Sequence, residues 1–222
     1  MIIGNGLIAS SLKNIDSDDM LFFASGVSNS LETRRSEFER EFNLLKNALE
    51  NAKEKKIVYF STLSIHDQSK QDSHYVLHKK DIENYIKNNS ENYLILRIGN
   101  IVGNGGNPNT LFNFLKTQIS NNHQFVLHLN AKRLLVDIDD ISKFLELNCS
   151  KMKNRTLNFA YPYYYNLKEI IAVIEKSLAK KAYFEEVQQG DFYQVEFNEN
   201  INTFFAETSA ERYLEILADK YI

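Results

Sequence analysis

The sequence predicts an α/β fold: a parallel sheet with helices on both faces, followed by a small C-terminal α/β part. Two observations predict it. Short apolar runs alternate with stretches of helical periodicity over residues 1–160, the pattern of repeated strand–helix units. The polar or glycine-rich breaks at 4–6, 25–30, 61–74 and 99–108 each follow an apolar run. They therefore fall at strand carboxyl ends, where sheets of this kind bind ligands.

The elements follow in order. Met1–Ile3 reads as a short strand, and Gly4-Asn5-Gly6-Leu7-Ile8-Ala9 as a G-x-G-x-x-A turn into a helix. In that context the first glycine makes a tight turn and the second lets a pyrophosphate approach the backbone. The small third residue lets helix and strand pack closely. The N–H groups at the helix start, around Leu7 and Ile8, are then free for phosphate. Residues 14–19 form a polar break, and Met20–Ala24 a buried strand ending at Ser25-Gly26. Phe38, Phe42, Leu45, Leu49 and Ala52 recur at helical spacing, which predicts a helix over 37–52. A strand over 57–61, a helix over 75–87 and a strand over 93–98 come next. The stretch 99–108 holds four of the eight glycines and one of the two prolines, so it predicts a loop that makes room for a ligand.

Farther on, 111–119 reads as a helix, 125–129 and 134–138 as strands, 139–148 as a helix and 157–160 as a strand. Asn166 caps a helix to about Leu178, 183–187 and 193–197 read as strands, and Thr208-Ser209 open a last helix. The expected organisation is a core over 1–160 that carries the ligand-facing loop 99–110. A smaller part over 161–222 is interleaved with 110–138.

Composition excludes several classes. A net charge of −3 gives no electrostatic case for a nucleic-acid partner. No apolar stretch approaches the ~20 residues of a membrane span, so no membrane partner is expected. The first apolar run is broken by Gly4, Asn5 and Gly6 and has no basic segment before it, which does not fit a signal peptide. Cys149 is the single cysteine; it rules out an internal disulfide and fits a reducing cytosol, so the expected location is cytoplasmic.

The chemistry concentrates in residues 58–79. The run Val58–Phe60 ends in Ser61-Thr62, and after a polar loop Tyr75 and Lys79 stand four residues apart at the start of a helix. That spacing puts both side chains on one face. A hydroxyl at a strand end, a tyrosine and a lysine together can move a proton to or from a carbonyl/alcohol pair. A phenol of pKa about 10 is a poor base near neutral pH unless an ammonium stabilises the phenolate. His66, His74 and His78 surround the same loop, but no carboxylate or cysteine completes a set of metal ligands, so no metal is expected. The run Tyr161–Tyr165 reads either as an aromatic wall for a sugar or base or as a packed connection into the next helix.

Taken in order, these segments resemble an extended short-chain dehydrogenase/reductase of the NAD-dependent epimerase/dehydratase family, whose members modify sugar nucleotides. GNGLIA matches the cofactor fingerprint, and FASGVSNS resembles the strand and loop beside the cofactor. VYFSTLSIHD resembles the strand carrying the catalytic Ser/Thr, and YVLHK matches the Tyr-x-x-x-Lys pair. LRIGNIVGNGGNP resembles the substrate loop, and KRLLVDIDDISKFL the segment that closes over the nucleotide. The resemblance implies a Rossmann-like core that binds NAD or NADP and takes a nucleotide sugar as substrate. By matching position, Gly4, Gly6, Leu7, Ile8, Ser25 and Gly26 would bind the cofactor. Tyr75 would be the general acid/base. Lys79 would lower its pKa and hold the nicotinamide ribose. Thr62 would hydrogen-bond the reacting oxygen, with Ser64 a rival for that place on the substrate. Asn100 would contact the sugar nucleotide and Arg133 its phosphate or base, while Gly190-Asp191 is similar to a late structural turn. The resemblance also implies a homodimer through the helices 37–52 and 75–87.

Two departures from the family pattern narrow this reading. The family has a second and a third strand after the fingerprint, with an acid for the adenosine ribose about 20 residues on. Here about a dozen residues separate Ala9 from Phe22, and MLFFASG already matches the fourth strand. The sheet is therefore expected to be reduced, with the first strand at its edge and one wall of the adenosine site missing. In addition, Leu63 and Ser64 stand where the 4,6-dehydratases carry an acid pair, which disfavours dehydration. The expected activity is an NAD(P)-dependent reductase or epimerase on a nucleotide-activated sugar for surface polysaccharide. The alternative is a non-catalytic member that binds a nucleotide or sugar nucleotide as a sensor or scaffold.

Overall fold

Four consecutive segments build two units, described over residues 1–222 by a computed structural model. Met1–Ile98 holds β1 (Ile2–Ile3), α1 (Leu7–Ser11), β2 (Met20–Phe23), α2 (Arg35–Asn51), β3 (Lys56–Thr62), α3 (His74–Asn89) and β4 (Tyr93–Ile98). Gly99–Asp137 holds β5 (Asn100–Val102), α4 (Leu111–Ser120), β6 (Gln124–His128), β7 (Lys132–Arg133) and β8 (Leu135–Asp137). Ile138–Phe159 adds α5 (Ile138–Asn148) and β9 (Arg155–Phe159). Ala160–Ile222 adds β10 (Tyr165–Asn166), α6 (Leu167–Leu178), β11 (Tyr183–Val187), α7 (Glu199–Phe205) and α8 (Ala210–Tyr221). The first and third segments form one unit, the second and fourth the other.

The first unit is built on a five-stranded parallel sheet in the order β1-β2-β3-β4-β9. β3 lies in the middle and is buried along its whole length. Both of its faces are covered, which is why its sequence is a continuous apolar run rather than an alternation. Leu21, Phe23, Ile57, Tyr59 and Ile95 form one face of the sheet and pack with Leu45 and Leu49 of α2 and Ile82 and Ile86 of α3. Their neighbours Phe22, Val58 and Leu94 are equally buried and point to the opposite face by strand alternation. The sheet stops at β1, as the sequence predicts, because only residues 12–19 connect α1 to β2 and they contain no strand. Lys56 opens β3 with its ammonium donating to the carbonyl oxygens of Cys149 and Met152. A cation there meets the free carbonyls past the end of α5.

The second unit contains three strand pairs: β5 with β8 and β6 with β11, both parallel, and β7 with β10, antiparallel. Helix α6 opens with a capping box, in which Glu169 N donates to the Asn166 side chain at 3.0 Å and Asn166 N donates to the Glu169 carboxylate at 2.7 Å. Asp137, 4% exposed, accepts from the Tyr221 hydroxyl and from Lys220 at 2.8 Å, which fastens α8 to the end of β8. No helix is long and apolar enough to cross a membrane.

Three expectations are corrected. Residues 99–108 are not loop throughout, because Asn100–Val102 forms β5 against Leu135–Asp137. Residues 193–197 are not a strand: they have no ladder partner, and the Val195 N–H donates instead to the Tyr164 hydroxyl at 2.8 Å. Helix α7 was not expected; its signal is Asn198, whose side chain accepts from Asn200 N at 2.9 Å. The loop 99–110 groups with the second unit, and Ile138–Phe159 with the first.

The Asn166 box gives a direct stability test. Asn166→Ala removes one acceptor for the helix start and is expected to lower unfolding stability by about 1 kcal/mol. The change should be read as a lower urea midpoint with an unchanged slope.

Candidate active site

In the first unit β1 runs into the dinucleotide-type turn. Gly4 has φ +131°, and a Cβ there would stand 2.4 Å from the Ala24 carbonyl oxygen, so no side chain fits. Gly6 precedes α1 as its N-cap, with nothing within 4 Å of a would-be Cβ. Leu7 and Ile8 are the first two helical residues. Ser25 and Gly26 follow β2, and Arg40 of α2 donates to the carbonyl and hydroxyl oxygens of Ser25 at 3.4 Å.

Thr62 closes β3 and is 8% exposed. Its Oγ1 accepts from Ser64 N at 3.1 Å and caps the short turn Leu63–His66, which packs against α3. The cap leaves the Thr62 hydroxyl proton free to donate. Helix α3 starts at Ser73, whose hydroxyl accepts from Val76 N at 3.2 Å. This start sets the phase of the helix: Val76, Lys79, Ile82, Glu83 and Ile86 face inward and Tyr75 is half-buried.

The position of Lys79 is decided by residues that sequence reasoning did not single out. Its side chain is 3% exposed, and Nζ donates to Glu41 Oε1 at 3.0 Å and to the Tyr59 hydroxyl at 2.9 Å. Nζ also lies 5.8 Å from the centroid of the Tyr75 ring, so the expected pair is one neighbourhood. Glu41, on α2, has no exposed surface. Besides Lys79 it accepts from the Tyr59 hydroxyl at 2.7 Å, from Val27 N at 2.7 Å and from His78 Nε2 at 3.0 Å. A carboxylate only accepts, so the proton of that last contact sits on Nε2. Burial alone would raise the Glu41 carboxyl, but the Lys79 charge, His78 and the Val27 N–H together hold it well below the ordinary carboxylate range. Burial, and then the Glu41 charge, push the Tyr59 phenol well above its ordinary value. The backbone lies so close that a Cβ on Gly26 would stand 2.7 Å from Lys79 Nζ and 3.0 Å from Glu41 Oε1. A sequence signal for Glu41 existed: it sits three residues after Phe38 and four before Leu45, on the apolar stripe of its helix.

One turn further along α3 a second buried carboxylate is held. Glu83 accepts from Ser61 at 2.7 Å and, along one edge of the Arg97 guanidinium, from its Nε and Nη2 at 2.8 and 2.7 Å. Burial opposes its ionisation, but Arg97 and then Ser61 bring its carboxyl below the ordinary value. His66 contacts Asn158 at 3.0 Å, whereas His74 is exposed.

Asn100 and Arg133 belong to the second unit. Asn100 opens β5, its side chain and N–H both donating to the Leu134 carbonyl at 3.1 and 2.8 Å. Arg133 donates to the carbonyls of Lys132 at 2.8 Å and Asp191 at 3.1 Å. In the tyrosine run, Tyr161 stacks on Tyr213 at 4.2 Å and donates to Thr208 O at 2.5 Å, and buried Tyr165 donates to Ala210 O at 2.7 Å. These two are packed connections; Tyr163 is 41% exposed, and Tyr164 helps line a cleft of about 500 Å³ with Lys132, Phe192 and Gln194.

The two buried carboxylates tie stability to pH. Their folded values lie below the ordinary 4.5, so their contribution is fully present above that value and is lost as the pH falls through the folded values. The urea midpoint is expected to drop steeply below about pH 4.5, and Glu41→Gln to flatten that drop. An equally steep drop in the variant contradicts this assignment.

No protein-family model matches the chain, and no curated protein matches it by sequence. Solved structures do match by fold. A UDP-N-acetylglucosamine 4-epimerase from Methanobrevibacter ruminantium, in complex with UDP-N-acetylmuramic acid, superposes with a TM-score of 0.72 at 16% identity, covering 99% of this chain and 81% of that one. RMD from Pseudomonas aeruginosa, complexed with NADPH, gives 0.71 at 12% identity, covering 99% and 87%. UDP-glucuronic acid 4-epimerase from Bacillus cereus, in complex with UDP-glucuronic acid and NAD, gives 0.71 at 18% identity, covering 91% and 75%. The chain thus shares the fold of these solved proteins, with its parallel sheet ending at β1.

Proposed function

We propose that this protein is an NAD(P)-dependent reductase or epimerase acting on a nucleotide-activated sugar, with a cytoplasmic role in making a surface polysaccharide. The observation that carries the reading is that one unit holds the turn Gly4–Ile8 together with Thr62, Tyr75 and Lys79, at strand carboxyl ends and on the helix beside them. The nucleotide sugars and NAD(P) named for the matching structures support the substrate and cofactor classes.

The residues fit the nicotinamide and pyrophosphate half of such a cofactor. Gly6 leaves open space at the turn. An ammonium has three N–H donors, and Lys79 gives two of them to Glu41 and Tyr59, which leaves one for a ribose hydroxyl. The residues do not fit the adenosine half. No strand lies beyond β1, and Asp16, Asp18 and Asp19 precede β2 instead of following a strand.

When bound, the nicotinamide supplies or accepts a hydride. The protein's own part is the proton. Tyr75 gives its phenolic proton to the sugar carbonyl oxygen in reduction, or takes it from the alcohol in the reverse direction. The Thr62 hydroxyl donates to the same oxygen, and Ser64 lies on the turn it caps. Lys79 keeps a positive charge near the Tyr75 ring, favouring the phenolate when the proton leaves. Asn100 and Arg133 are proposed contacts for the sugar nucleotide. Leu63 and Ser64 can neither protonate a leaving hydroxyl nor take the paired proton, so dehydration is not proposed. Helices α2 and α3, with Phe42 and Leu44 half-buried and Leu77 45% exposed, are the proposed face of a homodimer.

A second reading has its own support. The sequestration of Lys79 and the short sheet favour a non-catalytic protein that binds a nucleotide or sugar nucleotide as sensor or scaffold. Turnover of nucleotide-linked 4-keto sugars with NADH or NADPH separates the two. The enzyme reading expects turnover that falls about 10²–10⁴-fold in Tyr75→Phe. Sugar-nucleotide binding with no turnover in either protein overturns it. Light scattering is expected to give a dimer mass, and a single monomeric species across working concentrations contradicts the proposed face.

A further inference from the structure

The buried cluster around Glu41 joins four parts of the first unit. Glu41 comes from α2, Tyr59 from β3, His78 and Lys79 from α3, and the Val27 N–H from the chain after β2. Every lone pair of the carboxylate has a donor, and the Gly26 backbone leaves the ammonium no room to shift toward it. A buried ion pair is weak evidence for stability, since an apolar pair of similar volume does as well or better. Yet this pair stands one helical turn from Tyr75, with Lys79 Nζ 5.8 Å from the phenol ring.

We infer that Glu41 is a positioning residue for the acid/base pair: its carboxylate fixes the Lys79 ammonium beside the Tyr75 ring and sets the net positive charge that the phenol feels. The inference rests on reading Tyr75 and Lys79 as that pair. Other titratable groups lie on the elements packed around this pair. From α3 come His78, bound to Glu41, and Glu83, neutralised by Arg97 of β4 and by Lys87. From α2 come Glu37 and Arg40, which pair with each other, and from β3 comes Tyr59. From the turn after β3 comes His66, which contacts Asn158. Among them Glu41 is the group that both touches Lys79 and carries a full opposite charge. Lys79 alone would strongly favour the phenolate, and Glu41 moderates that pull.

The test is the phenolate absorbance of Tyr75 against pH, isolated in each background by subtracting the matching Tyr75→Phe protein. Glu41→Gln is expected to move the Tyr75 midpoint down by roughly one pH unit, and Lys79→Met to move it up. If Glu41→Gln does not fold, adding Glu41→Gln to Lys79→Met removes both charges together, and the midpoint should fall relative to Lys79→Met alone. A residue that merely holds the fold would leave these midpoints where they were. Coincident midpoints in both comparisons, with native circular dichroism, overturn the inference. A shifted midpoint in a protein without turnover keeps the inference and removes the enzyme reading. Turnover with an unshifted midpoint does the reverse.

Discussion

A carboxylate without exposed surface constrains everything around it. Glu41 is such a group, and ionised it needs each lone pair answered inside the protein. Its donors arrive from β3, from α3 and from the chain after β2, while Glu41 itself sits on α2. These pieces cannot move independently without stranding a buried charge, which costs about 3–5 kcal/mol when one partner is removed. The same constraint explains Gly26, since any side chain there would run into Lys79. It also explains why the Lys79 side chain is buried and why Tyr59, an apolar-run residue, carries its hydroxyl into the core.

The second organising fact is where the sheet stops. With β1 at the edge, Gly4 is still forced into its turn by the Ala24 carbonyl. What remains is a turn and a capped threonine at strand carboxyl ends, with a tyrosine and a buried ammonium on α3. On the proposed reading, that set would serve proton and hydride chemistry at one end of a dinucleotide, with no strand beyond β1 to hold the other.

Much of this was legible in the sequence because its signals are local. Strand β3 is a continuous apolar run, Asn166 and Glu169 spell a capping box, and the short link from Ala9 to Phe22 leaves no room for another strand and helix. The Tyr75/Lys79 spacing is likewise a property of one helix. Glu41 was not legible in the same way. It lies among Glu37, Glu39 and Arg40; its place on the apolar stripe sets it apart from them, but its partners come from other elements and only packing brings them to it. Residues 193–197 misled for the converse reason: alternation suggests a strand, but a strand exists only where a neighbour offers a ladder. β5 was hidden because its partner, Leu135–Asp137, is more than thirty residues away.

The claim that joins these points is that the site grips the nicotinamide end of a dinucleotide and barely holds adenosine. Parallel fluorescence titrations with NADH, NADPH and reduced nicotinamide mononucleotide measure it directly. The account predicts that all three bind, with the mononucleotide within about tenfold of the dinucleotides and every affinity weaker in Lys79→Met. A dinucleotide that binds more than about a hundredfold tighter than the mononucleotide would contradict it.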